Sequence, residues 1–295
     1  MKPLHFCVVL GVVALLVVGP ARAETVLVVS DVDPTDPAGY DASLVTWLEG
    51  LGYTVDTDGM NGNYKEGNSP WAAGNEAKLQ RLLDADLVIV SRKTSSGSYD
   101  NDRAGWNTLA TPLILMSGYL TRGASQTKWY WANVDSGDAG KAVTDLVVEA
   151  GQTGHSWLAG VTLDGADSFA GFDWSPLAEA PKAVYLPNTG ATWADGATVL
   201  ATYDGRDILV DIPAGAEMIN GDIAGARRGF LGQWGYDLNI DVGAGSRKAQ
   251  FEDFLTDDYK TVLSNMIAEM VPEPGTIALL GFGGLAALLR RKRQA

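Results

Sequence analysis

Four short β-forming runs alternate with helix-patterned segments in the first part of the chain: Thr25-Val-Leu-Val-Val-Ser30, Tyr53-Thr-Val55, Asp86-Leu-Val-Ile-Val-Ser91 and Thr111-Pro-Leu-Ile-Leu-Met116. An unbroken aliphatic run has no polar face to give to water, so it forms a strand buried on both sides, and helices must cover those sides. The intervening segments suit that task. Residues 40–51 put Leu44, Val45, Leu48 and Leu51 on one helical face and stop at Gly52, and residues 72–83 turn Leu79, Leu82 and Leu83 inward. A shorter helix is predicted around residues 103–109. The alternation predicts an α/β domain with a doubly wound, mostly parallel sheet of flavodoxin-like kind.

Beyond Gly123 the pattern changes to short β runs. Residues 128–134, which include Trp129, Tyr130 and Trp131, read as an edge strand, and residues 145–149 as another short strand. Further strands are predicted at 182–186, 197–203, 207–212 and 229–233. Asp204-Gly205 between two of them is a hairpin turn signal, so hairpins are added to the sheet. A closing amphipathic helix over 256–270 carries Val262, Leu263, Met266, Ile267 and Met270 on one face.

The ends have a different character. Residues 1–23 read as a signal peptide: Lys2, an apolar stretch from Phe6 to Gly19, Pro20, and then Ala21-Arg22-Ala23, which predicts signal-peptidase cleavage before Glu24. At the other end Pro272-Glu273-Pro274 precedes an apolar segment from Ile277 to Leu289 and a basic stop, Arg290-Arg291-Lys292-Arg293. Thirteen helical residues span about 20 Å, short of a hydrocarbon core of about 30 Å, so local thinning and snorkelling arginines must close the gap. The basic stop stays cytoplasmic and leaves Pro-Glu-Pro outside. This three-part tail resembles the PEP-CTERM sorting signal. The resemblance implies recognition by an exosortase, transient residence of the C-terminal helix in the inner membrane, and delivery to the cell surface or a biofilm matrix.

The body between the ends, residues 24–271, carries 16 basic and 35 acidic residues, a formal charge of −19. Such a body repels phosphate backbones, which excludes nucleic-acid binding. The single cysteine, Cys7, lies in the predicted signal peptide. The mature chain therefore has no disulfide, no thiolate metal site and no cysteine nucleophile.

Three stretches of the body resemble class I glutamine amidotransferase-like domains, especially the trehalose-utilisation (ThuA-like) branch. They are His155-Ser-Trp-Leu-Ala-Gly160, the paired strands within residues 199–210, and the closing helix over 254–267. True amidotransferases hold a cysteine at the turn after the relevant strand. Here that turn reads Met116-Ser117-Gly118-Tyr119, and Ser156 replaces the usual proline. Glutamine hydrolysis by that mechanism is excluded.

Candidate functional residues fall into three sets. Ser117 sits where a strand gives way to a turn, a place where a nucleophile can be presented, though Leu115 breaks the Gly-x-Ser-x-Gly pattern. A triad would need His155, the one histidine of the mature chain; its plainer role is to anchor or cap a loop. Asp31, Asp33 and Asp36 follow the first strand, where carboxylates could hold Ca²⁺ or simply face water. Trp129, Tyr130 and Trp131 lie in polar surroundings and could stack on sugar rings or pack a sheet edge. The leading expectation is an exported, non-catalytic amidotransferase-like domain that binds polysaccharide. The alternatives are a secreted hydrolase of a sugar or ester, and a purely structural matrix protein.

Overall fold

Val26 to Val29, Leu87 to Val90 and Leu113 to Leu115 are all fully buried, as apolar strands covered on both faces must be. The computed structural model describes residues 23–36, 40–123, 128–134, 136–139, 144–176, 184–187, 190–233, 239–241, 246–248, 250–251 and 253–271. The signal peptide but for its last residue, the Pro272-Glu273-Pro274 motif, the apolar segment and the basic stop lie outside these residues. Contacts gather Glu24–Glu273 into one compact unit.

Strands β1 (Thr25–Val29), β2 (Thr54–Asp56), β3 (Leu87–Val90) and β4 (Leu113–Leu115) alternate with helices α1 (Tyr40–Gly50), α2 (Glu76–Asp84) and α3 (Arg103–Thr108). Then come β5 (Ser136–Ala139), β6 (Asp145–Val148), a 3-10 turn at Ser156–Leu158, β7 (Ser168–Ala170) and β8 (Val184–Pro187). The remainder is β9 (Thr198–Tyr203), β10 (Arg206–Ile212), β11 (Arg228–Leu231), β12 (Asn239–Asp241), β13 (Ser246–Lys248) and α4 (Asp257–Met270). Among the described residues one large sheet has the order β2-β1-β3-β4-β11-β10-β9-β6-β7, while β5 pairs with β8 and β12 with β13. Neighbours from β2 through β11 are parallel, and those from β11 through β7 are antiparallel. The fold is mixed α/β with a large mixed sheet.

Two features of this sheet position the site. The chain passes from β1 to β2 on one side and then returns to place β3 on the other, so a switch point lies between β1 and β3, and ligands favour the carboxyl ends of such strands. The register also makes those ends level: Val29 pairs with Val90, Val90 with Leu115, and Leu115 with Phe230.

Local chemistry accounts for the terminal elements. Asp204 (φ 49°) and Gly205 (φ 69°) both take positive φ in the β9–β10 turn, the pairing that a tight hairpin with native twist requires. Thr256 caps α4 by accepting the Tyr259 N–H at 3.2 Å, and Tyr259, Val262, Leu263, Met266, Ile267 and Met270 form its buried stripe. Two expected inward leucines are not inward. Leu51 lies past the end of α1 and Leu83 on the outer side of α2, each 46% exposed, because the shorter helices need only Leu44, Leu48 and Leu82 to meet the core. Nor do residues 128–134 form a strand: Ala132 makes isolated bridges to Arg122 and Trp193 instead.

Candidate functional site

Ser30 and Ser91 are the first residues beyond β1 and β3, and both hydroxyls donate to the carboxylate of Asp41 in the first turn of α1. Ser91 Oγ reaches both Asp41 oxygens at 2.7 Å, and Ser30 Oγ reaches Oδ2. The same two hydroxyls accept backbone N–H groups, from Val32 to Ser30 and from Lys93 to Ser91, each at 3.0 Å. Asp41 thus staples α1 to the carboxyl ends of two parallel strands. It is fully buried. Burial pushes its pKa up to about 6, and the hydrogen bonds from Ser30 and Ser91 hold it from rising further.

A carboxyl whose folded pKa lies above its unfolded value adds stability that is complete below about pH 4 and is lost as pH rises through about 6. A rise from the ordinary carboxylate value to about 6 corresponds to about 3 kcal/mol. Urea unfolding at intervals from pH 4 to 7 should therefore show the wild type losing stability relative to Asp41→Asn by about that amount. Parallel pH profiles for the two proteins would rule out a buried, titrating Asp41.

Asp31, Arg92 and Ser117 lie two residues past Val29, Val90 and Leu115, where β1, β3 and β4 give way to loops; there the Asp31 N–H donates to the Lys93 carbonyl at 3.2 Å. Asp31 accepts the Ser95 N–H at 2.8 Å and the Tyr99 hydroxyl at 3.3 Å. Burial together with the Asp31 charge raises the Tyr99 pKa. The Arg92 guanidinium, on a residue only 2% exposed, lies 4.9 Å from the centre of the Tyr119 ring, and that of Arg122 lies 5.2 Å from the same ring. Arg122 is fixed by donating Nε to the Tyr119 carbonyl at 2.8 Å and Nη2 to Ser96 Oγ at 3.2 Å. Ser117 is fully buried, and among the described residues its hydroxyl has no hydrogen-bond partner.

His155 belongs to a different cluster. Its Nδ1 accepts the Trp157 N–H at 3.2 Å, capping the 3-10 turn, and its Nε2 lies 3.6 Å from Asp211 Oδ2. Arg227 grips Asp211 with two bonds of 2.8 and 2.7 Å, reaches Glu269 Oε1 at 2.6 Å, and lies 4.7 Å over the Trp157 ring. The Ser156 hydroxyl donates to Glu269 as well. These bonds latch the 3-10 turn to β10 and α4. Arg227 immediately precedes β11, whose first residue pairs with Leu113, whereas Ser117 lies beyond the opposite end of β4. At about 3.3 Å per residue the two sites are separated by about 17 Å along the strands, five residues from the level of Arg227 to Ser117. Ser117 and His155 are not brought together as nucleophile and base.

The acidic loop does not form a cage. Asp33 is turned onto its own loop, accepting the Thr35 N–H at 2.8 Å and the Thr35 hydroxyl at 2.6 Å, bonds that lower its pKa. Asp36 is exposed and donates its N–H to the Asp33 carbonyl at 3.2 Å. Among the described residues no three His, Cys, Asp or Glu side chains gather closely enough to hold a metal ion.

Trp129 and Trp131 are fully buried, not exposed platforms. Trp129 stacks on Trp106 (5.2 Å, 19°), which meets Trp71 edge-on (4.8 Å, 70°), and Trp131 lies 6.0 Å from Trp129. Both indole N–H groups are satisfied inside, by the Tyr99 carbonyl at 2.8 Å and by Asn107 Oδ1 at 3.0 Å. That internal pairing allows the core to take tryptophans from a polar stretch of sequence. Tyr130, between them, adopts φ 59° and stays half-buried, with the Arg103 guanidinium 5.5 Å from its ring.

Residues 271–293 match the PEP-CTERM protein-sorting motif. The motif marks an exported protein handled by an exosortase, anchored in the membrane before processing. Among the described residues no helix is long and apolar enough to cross a membrane; the expected spanning segment from Ile277 to Leu289 is not among them. No curated protein matches the chain. Solved structures similar to it include cytoplasmic protein STM3548 from Salmonella typhimurium, at 12% identity over 83% of this chain and 98% of that one, with a TM-score of 0.47. Cytoplasmic protein STM1381 from Salmonella typhimurium LT2 is similar at 11% identity over 84% and 100%, with a TM-score of 0.45. Likenesses this distant say nothing about activity.

Proposed function

We propose that the chain is an exported, non-catalytic carbohydrate-binding protein, built on a flavodoxin-like scaffold of amidotransferase-like, trehalose-utilisation kind, whose ligand lies across the carboxyl ends of β1, β3 and β4. The parallel order β2-β1-β3-β4-β11 supports the scaffold, and the switch point between β1 and β3 supports the place. One observation carries the non-catalytic part. At the turn where an amidotransferase-like domain would hold its cysteine, Ser117 has a buried hydroxyl that among the described residues meets no hydrogen-bond partner, while His155 is engaged in the latch around Asp211. Groups so arranged can bind a ligand but have no route for the proton that acyl or glycosyl transfer must move. The sorting tail supports a polysaccharide as partner. The ligand contacts are polar groups at the strand ends, since Trp129 and Trp131 are fully buried.

The test is calorimetric titration of the full chain with soluble exopolysaccharide, with product analysis on the same samples. Saturable binding without release of sugar or acid is expected. Turnover that Ser117→Ala abolishes would replace this reading with the secreted hydrolase, and absence of any saturable binding would refute it.

A further inference from the structure

We propose that the exposed side of the last turn of α4 is the surface on which the exosortase docks. The matched sorting motif, residues 271–293, begins at Val271, the residue that caps α4, so no spacer separates it from the folded body. Only residues 272–276 lie between Val271 and the apolar segment that starts at Ile277. Fully extended, they carry the chain about 20 Å, roughly two helix diameters. Any part of a membrane enzyme that surrounds Pro272-Glu273-Pro274 therefore lies against the end of α4. The body fixes that end in place. Unsupported helix ends fray, but here Glu269 accepts Arg227 Nη1 at 2.6 Å and the Ser156 hydroxyl. One turn earlier, Asn265 Nδ2 donates to the Trp157 and Ala159 carbonyls at 3.1 and 2.8 Å. Met270 and Val271, the final residues of the body, are only 4% and 2% exposed. Val271 takes φ −81° and ψ 118°, extended values that a following proline favours, so the helix stops at the motif and does not run into it. Ala268 and Glu269 stay exposed on this clamped turn. A motif that leaves a fixed point beside an exposed helix surface offers two contacts in one geometry, which spares the enzyme the entropy of ordering a loose tether.

The experiment follows processing of the full chain in membranes that contain the exosortase, by gel mobility and mass spectrometry. Inserting about ten Gly and Ser residues between Val271 and Pro272 keeps body and motif but lets them drift roughly 17–19 Å apart. Processing should slow at least ~5-fold, because the second contact is no longer held in place. Ala268→Arg adds bulk and charge to the exposed turn and leaves the buried stripe of α4 alone. It should slow processing by a similar factor with the melting temperature unchanged. In the spacer variant the same substitution should add little, since the contact is already lost. Leu83→Arg, which puts the same side chain on the exposed side of α2, should be processed at the wild-type rate. A spacer variant processed as fast as wild type, or faster, would mean that the body only stands in the way of the enzyme, and docking would be wrong. Ala268→Arg processed at the wild-type rate would show that the end of α4 is not touched. Equal slowing by Leu83→Arg and Ala268→Arg would reduce the effect to added charge and overturn the choice of face.

Discussion

Replacing Arg228 with leucine is expected to lower folding stability by about 3–5 kcal/mol, measured by urea unfolding. Arg228 opens β11 and is fully buried. Its Nη1 donates to the carbonyls of Thr111 (2.9 Å) and Arg227 (3.3 Å), and its Nη2 to those of Trp106 (3.3 Å), Asn107 (2.9 Å) and Leu109. Trp106 and Asn107 lie in the last turn of α3, whose carbonyls have no partner within the helix. The guanidinium therefore caps α3, compensates the negative end of its dipole, and ties it to the start of β4 and β11. Burial lowers the Arg228 pKa to about 9, which still leaves the group charged at neutral pH. Leucine fills part of the volume and removes every donor: the Trp106, Leu109 and Thr111 carbonyls lose theirs in a dry interior, while those of Asn107 and Arg227 keep the Gly225 and Leu113 N–H groups. Arg228→Lys keeps the charge but has three donors on one atom and cannot span the set, so an intermediate loss is expected. If leucine cost less than 1 kcal/mol, water would have to reach those carbonyls, and the capping role would be wrong.

The elements that were legible in the sequence are those decided by local pattern. The runs that become β1, β3 and β4 are apolar without interruption, and α4 carries its buried stripe at helical spacing. Asp204-Gly205 contains its own backbone instruction, positive φ at both residues. The polar interior was not legible, because its partners are distant in the chain. Asp41 bonds to Ser91 fifty residues away, and Arg228 to carbonyls 117 to 122 residues away. In the sequence Asp41 looks like any acid at a helix start, a position that favours acids for local reasons. The sequence also indicates that Ser117 ends a strand, but not that its hydroxyl is buried unpaired, which depends on what β3 and β11 place beside it. The sequence leaves open whether Trp129 and Trp131 stack on sugar or pack inside, because their neighbours are polar; the acceptors that let them enter the core, Tyr99 and Asn107, come from the loop before α3 and from α3 itself.

That last point fixes what substitution of Trp129 should do. Trp129→Ala is expected to cost about 3–5 kcal/mol, the range for removing a large buried aromatic side chain. It removes the stack on Trp106, withdraws the donor from the Tyr99 carbonyl, and opens a cavity beside the three remaining tryptophans of the cluster, Trp71, Trp106 and Trp131. Tyr99 also holds Asp31 through its hydroxyl, so the loop over the strand ends loosens together with the core. Loss of sugar binding in this variant would therefore report unfolding and not a missing ring contact. Trp129→Phe separates the two cases. It keeps a ring in the stack and loses only the N–H, so a cost of about 1–2 kcal/mol is expected, with ligand affinity unchanged because the ring does not meet the ligand. The opposite pattern would be decisive: an alanine variant within 1 kcal/mol of wild type that no longer binds sugar would mean that Trp129 faces the ligand, and the binding site would move from the carboxyl ends of β3 and β4 to the aromatic cluster.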